Sequence, residues 1–169
     1  MVKDIAFLSY LAVCAATDVK YRKVFNFVTF PAIILGVGLN FFYFGTYGLK
    51  NSLIGLIAGF LVLFVFFLLG GVGPGDLKFL AGAGAITGWE PVLWGFLYGA
   101  IIAGIYSLCL IIVKKQFKET LKRIGGFFVF FLYGREAPDA SLIGGGALPY
   151  AFFLAVGLAL RWLEINVLR

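Results

Sequence analysis

The chain of 169 residues has no histidine, only two cysteines and few charges: 13% of its residues are Asp, Glu, Lys or Arg. Each shortage excludes something. Without histidine, and with Cys14 and Cys109 isolated in separate apolar runs, ordinary zinc chemistry has no ligand set, so no metal and no cofactor is expected. The two thiols read as small hydrophobes. A soluble domain carries about one quarter charged residues, and so few cannot coat a water-facing surface without very large apolar patches. What the chain has instead is 62% hydrophobic residues, 20 of them Phe, and a mean hydropathy of +1.03. Its natural solvent is a bilayer, and membrane lipids are its first expected partner.

The net charge of +6 does not point to nucleic acid, because the bases gather in two short stretches between apolar runs rather than along one polar face. They read as loops beside membrane spans. The N-terminal stretch Ile5 to Ala16 resembles a cleaved signal, and Leu11-Ala12-Val13-Cys14 a lipoprotein processing site. With only Lys3 at its start, balanced by Asp4, it reads better as a first span.

Uncharged intervals between Lys23 and Lys50, Lys50 and Asp76, and Glu90 and Lys114 each hold one helix of roughly twenty residues. With an apolar run from Ala147, they predict an all-α polytopic membrane domain over residues 1–169. Its six spans lie at about 3–19, 25–46, 52–72, 76–89, 91–113 and 147–167, with a loop at 114–146. Two spans are short, and informatively so. Asp18 lies fourteen residues from Asp4, and Asp76 fourteen from Glu90. If Asp4 and Glu90 mark one face, both acids lie about 21 Å from it, short of a hydrocarbon core about 30 Å thick.

Basic residues set the orientation. Lys20, Arg22 and Lys23 follow the first span, and Lys114, Lys115, Lys118, Lys122, Arg123 and Arg135 follow the fifth; the other side has Lys3, Lys50, Arg161 and Arg169. The basic loops are expected in the cytoplasm, giving N-out and C-out termini in the cytoplasmic (inner) membrane and a site open to the cytoplasm. Lys114 to Arg123 reads as a basic amphipathic helix. Ile124 to Tyr133 is too short for a span and is either an interfacial or re-entrant piece or a packed loop. Gly55 and Gly59, Gly84 and Gly88, and Gly95 and Gly99 are spaced for close helix packing, and the run Ala81 to Gly88 suggests a tightly surrounded helix.

An ionisable side chain at membrane depth is a functional hypothesis by default. Asp18 also has a plain reading, as a juxtamembrane acid paired with Lys20, Arg22 or Lys23. Asp76 has one as a helix N-cap in Gly-Pro-Gly-Asp-Leu-Lys. Together, at matching depth on separate helices, they fit a carboxylate pair that shares one proton and activates a water for peptide hydrolysis. Gly73 and Gly75 leave the neighbouring loop free of side chains where a substrate backbone must lie extended, and Pro74 stiffens it.

Gly73-Pro74-Gly75-Asp76-Leu77-Lys78 resembles the Gly-x-Gly-Asp-x-Lys signature of type IV prepilin peptidases. Thr17-Asp18, with a basic turn and Asn26, resembles that family's first-aspartate segment, and Gly146-Ala147-Leu148-Pro149-Tyr150 resembles the approach to its last span. Phe25 stands where the family usually has proline. The resemblance implies an aspartic endopeptidase with Asp18 and Asp76 catalytic, supported by Gly73, Pro74, Gly75, Lys78 and Asn26. Its substrates would be pilin-like precursors, cut on the cytoplasmic side to remove a short basic leader. The zinc-binding Cys tetrad region of larger bifunctional members is absent, so methyl transfer is not expected. Three alternatives stay open. One is an intramembrane protease resembling presenilin or signal peptide peptidase, with Ala147-Leu148-Pro149 a partial echo. The others are a small proton-coupled transporter and an assembly subunit whose acids are structural.

Overall fold

The computed structural model describes residues 2–68, 71–113 and 149–167. Five helices account for nearly all of this: α1 (Val2–Tyr21), α2 (Asn26–Leu68), α3 (Pro74–Thr87), α4 (Trp89–Val113) and α5 (Tyr150–Asn166). No strand occurs among the described residues, and the protein is all-α. Residues 1–103 and 149–169 form one compact unit; the end of α4, from Gly104, belongs to a second. The amphipathic stretch 114–123, the apolar stretch 124–133 and residues 146–148 lie outside the described residues.

Where two spans at 25–46 and 52–72 are expected, one helical element runs through residues 47–51 and is broken only at Gly45. The expected loop reduces to a single residue for a steric reason. Gly45 has φ 59° and ψ −142°, a conformation essentially closed to residues with a Cβ. The contacts of α3 establish that the chain reverses there. Along the first arm Asn26 meets Lys78 and Asn40 meets Ala85 and Ile86, whereas along the second Ser52 meets Ala85, Gly55 meets Gly84 and Gly59 meets Leu80. The first arm thus runs with α3 and the second against it. Each arm is about 30 Å long at 1.5 Å per residue, close to a hydrocarbon core.

The fourteen residues of α3 make only about 21 Å of helix, and its central stretch Phe79–Ile86 is buried throughout. Small residues allow this. A Cβ on Gly55 would strike the Gly84 carbonyl and one on Gly84 the Gly55 carbonyl, while one on Gly59 would strike the carbonyl of Leu80. On the other side Tyr10 of α1 stacks on Phe79 and donates to its carbonyl at 2.9 Å. The C-terminal carbonyls of α3 would be orphans in an apolar setting. Instead Asn40 donates to those of Ala85 and Ile86 and Ser52 to that of Ala85, and Lys3 in turn donates to Asn40 at 2.9 Å. One residue, Gly88 at φ 96°, joins α3 to α4. Pro91, expected to open that helix, instead lies in its first turn, where a missing N–H leaves no bond unmade.

Polarity is inverted relative to a water-soluble protein. Asn40, Ser52 and Thr29 are at most 1% exposed, whereas Phe27, Ile34, Phe42 and Tyr47 are each more than 70% exposed. Both α2 and α4 are long and apolar enough to cross a membrane. Helix α5 packs on α4 through Gly95, Gly99 and Gly157, and its far end ties down two other helices. Trp162 donates to Asp4 of α1 at 3.1 Å, and Arg161 bridges to Glu90 of α4 at 3.1 Å. Asp4 and Glu90 therefore lie at one end of the bundle.

The helix contacts predict two classes of glycine. Gly84→Ala is expected to lower stability by about 1–3 kcal/mol, because backbone rather than a flexible side chain opposes the new methyl. Gly38→Ala, which meets nothing within 4 Å, is expected to leave it unchanged or slightly raised. Thermal unfolding in detergent separates the two; equal effects would contradict the close approach.

Candidate active site

Asp18 lies nearly a full turn before the end of α1, because the helix continues to Tyr21. It closes at Arg22, whose φ of 54° is left-handed and whose N–H donates to the Asp18 carbonyl at 2.8 Å. Asp18 as a residue is 5% exposed, so its carboxylate requires partners within the protein. Its Oδ2 accepts from the Phe152 main-chain N–H at 3.1 Å. The charge of Arg22 also acts on it, but the hydrogen-bonded partner is an amide 134 residues away, not the basic turn considered from sequence.

Asp76 is the third residue of α3, one turn inside the N-cap at Gly73, rather than the N-cap its sequence suggests. Its Oδ2 accepts from the Gly73 N–H at 3.2 Å, tying the Gly-Pro-Gly loop to the helix it opens. The structure brings the two acids together. The charge of Asp18 acts on Asp76, and the Ala151 N–H acts on both carboxylates. The meeting point is the start of α5, opposite the end that holds Asp4 and Glu90.

The other motif residues gather around this point. Lys78 donates to the Asn26 side chain at 3.0 Å, joining the start of α2 to the first turns of α3. Gly73 has φ −80° and ψ 156°, an extended conformation open to any residue. A Cβ on it would find Asp76 Oδ2 at 3.5 Å, and one on Gly75 would find Val24 at 3.4 Å, ordinary contact distances. Neither glycine is required by the backbone, and Gly73 and Pro74 are exposed. Phe25, in place of the family's usual proline, serves α2 through its carbonyl, which accepts from the Val28 and Thr29 N–H groups. That acceptor would survive in either residue, and the Phe25 ring packs against Tyr21 and Phe27.

Sequence reasoning missed the Ala151 and Phe152 amides and the half-buried Tyr150 ring, which lies within range of the Asp76 charge. Part of the signal was present, since Pro149 ahead of an apolar run marks a helix start with free N–H groups. Where those groups point depends on tertiary structure. Among the described residues no three His, Cys, Asp or Glu side chains gather to hold a metal ion. The chemistry available is that of two carboxylates, a small-residue loop and a set of main-chain donors.

The sequence profile of the type IV leader peptidase family matches residues 5–108, a stretch that includes Asp18, Asn26 and the segment from Gly73 to Lys78. The chain is similar to a prepilin leader peptidase/N-methyltransferase of Burkholderia pseudomallei (strain 1026b). The two are 34% identical over 106 residues, covering 58% of this chain and 34% of that protein. It is also similar to the protein of the same description from Bacillus subtilis (strain 168), 29% identical over 123 residues, covering 68% of this chain and 47% of the relative. The matched regions thus span less than half the length of these curated relatives. No solved structure matches the chain. With more than half of its residues matched by the profile, the chain belongs to the type IV leader peptidase family.

Proposed function

We propose that this protein is a membrane aspartic endopeptidase that removes the short basic leader of type IV pilin-like precursors at the cytoplasmic face. The observation that carries the reading is the convergence of Asp18, from α1, and Asp76, from α3, beside one pair of main-chain amides. Family membership supports the class of substrate. In this reading the chain crosses the membrane six times with both termini outside, the basic turn Lys20 to Lys23 faces the cytoplasm, and the acids lie just below the inner surface.

The chemistry follows from two carboxylates that share one proton. The ionised member takes a proton from a water molecule as the water oxygen attacks the scissile carbonyl carbon. The protonated member gives its proton to the carbonyl oxygen, forming a tetrahedral diol. Collapse of the diol breaks the C–N bond as the amide nitrogen takes up a proton, releasing a leader carboxylate and a new amino terminus. The exposed, extended backbone at Gly73 gives the substrate backbone a surface without a side chain next to Asp76, and Pro74 stiffens it.

Asp18→Asn and Asp76→Asn each keep a side-chain oxygen able to accept the Phe152 or Gly73 amide, yet remove the shared proton site. Each is expected to lower precursor cleavage by 10³-fold or more while unfolding stays close to that of the parent. Asp18→Ala, which also removes the acceptor, is expected to destabilise by about 1–2 kcal/mol. The assay is purified protein in detergent with a pilin-like precursor, the product's new N-terminus being sequenced. Residues starting directly after a leader glycine support the assignment. Cleavage that survives in both Asn variants would falsify the acid pair, and loss of ion flux with cleavage intact would favour transport.

The loop gives an independent prediction. Because the backbone does not require glycine at position 73, Gly73→Ala is expected to fold normally and to lower cleavage by about tenfold or more by crowding the substrate's approach to Asp76. Unchanged kcat/KM in a normally folded variant would remove the loop from the site.

A further inference from the structure

Helix α5 starts beside the acid pair, and its first-turn amides have no partner within the helix itself. Phe153 N–H already reaches the Pro149 carbonyl at 3.4 Å. Phe152 N–H instead donates across the bundle to Asp18 Oδ2 at 3.1 Å. The next amide, Ala151, acts on Asp18 and Asp76 alike. The two acids belong to different helices, and each has two side-chain torsions that could carry it away from the other. The start of α5, hydrogen-bonded to Asp18 through Phe152 and with the Ala151 N–H near enough to act on both acids, limits this motion. That stretch is itself held in place: at the other end of α5, Arg161 is bound to Glu90 and Trp162 to Asp4, and Leu154 and Leu158 lie against Gly99 and Gly95.

We propose that Phe152 is a positioning residue whose main-chain N–H, together with that of Ala151, holds Asp18 in register with Asp76, so that the pair can share one proton across the attacking water. A donor on Oδ2 of Asp18 leaves the other oxygen for that proton. The role belongs to the backbone, which is why no side chain at 151 or 152 announces it. It rests on the acid-pair reading of the preceding section.

Proline isolates the donor. In the first turn of a helix it is tolerated, and at position 152 it removes an N–H that serves no bond within the helix. Phe152→Ala, which keeps the N–H, supplies the reference rate, and replacement of the Phe152 N–H by an ester oxygen removes the donor while keeping the ring. With a pilin-like precursor, Phe152→Pro is expected to reach about one tenth to one hundredth of the kcat of Phe152→Ala, with KM within about twofold of it. The ester form is expected to lose a similar factor relative to the parent. A role confined to packing predicts the opposite order, with the alanine variant hit hardest. Equal kcat for Phe152→Pro and Phe152→Ala overturns the proposal, as does an ester form with parental kcat, which decides the matter where proline prevents folding. Failure here with Asp18→Asn and Asp76→Asn inactive removes only the positioning role; activity in those two variants removes the acid pair itself.

Discussion

The approach of two backbones at Gly55 and Gly84, closer than any Cβ permits, is the constraint on which the rest of the arrangement depends. Helix α3 is shorter than a hydrocarbon core is thick and carries a carboxylate at its N-terminal end, so lipid alone does not hold it at its depth. The hairpin of α2 does so instead, with one arm on each side and glycines where the chains meet. Apolar packing between helices carries little driving force in a lipid solvent, and close van der Waals contact replaces it. Asn40 and Ser52 complete the hold by taking up the α3 carbonyls that would otherwise end unbonded. The position of Asp76 is therefore set from both ends of its own helix, with Lys78 bonded to Asn26 at the near end.

Both acids are tied to main-chain donors, and this bears on the plain readings open to each. Asp76 is not the N-cap that its sequence context suggests but the third residue of its helix, reaching back to the N–H of the N-cap Gly73, and Asp18 caps a helix far along the chain. A cap and a proton-sharing acid are not exclusive roles. A carboxylate has two oxygens, and a main-chain donor on one stiffens the side chain while leaving the other free for chemistry. In an apolar setting this stiffening matters more than in water, because an unsatisfied carboxylate would be drawn to whatever donor it could reach.

Much of this was legible in the sequence because it depends on local chemistry. Charge-free intervals pointed to long apolar helices, and Gly-Pro-Gly-Asp marked the start of α3. The two aspartates stood out because acids in apolar surroundings are rare. What was not legible depends on distant parts of the chain. Residues 47–51 look like a loop since Lys50 and Asn51 are polar, yet they are helical because Gly45 alone makes the reversal. The polar residues Asn40 and Ser52 gave no sign that their partners would be the carbonyls of α3. Nor could the destination of the α5 amides be read, since Asp18 lies 134 residues before Phe152.

Glycine shows most clearly where sequence reading ends and structure begins. The chain has 23 glycines, and spacing alone places those at 55, 59, 84 and 88 in a packing class. Contacts bear this out, since a Cβ at each would meet backbone or a side chain already in place. Gly45 and Gly88 are further set apart by positive φ. Gly73 and Gly75 satisfy neither test: their φ values are not positive and a methyl would find ordinary contact distances. A glycine that neither conformation nor packing demands, in an exposed loop bonded to a carboxylate, leaves open a surface that the folded chain itself does not fill. On the proposed reading, the reason for that smoothness is the substrate backbone that comes to lie beside Asp76.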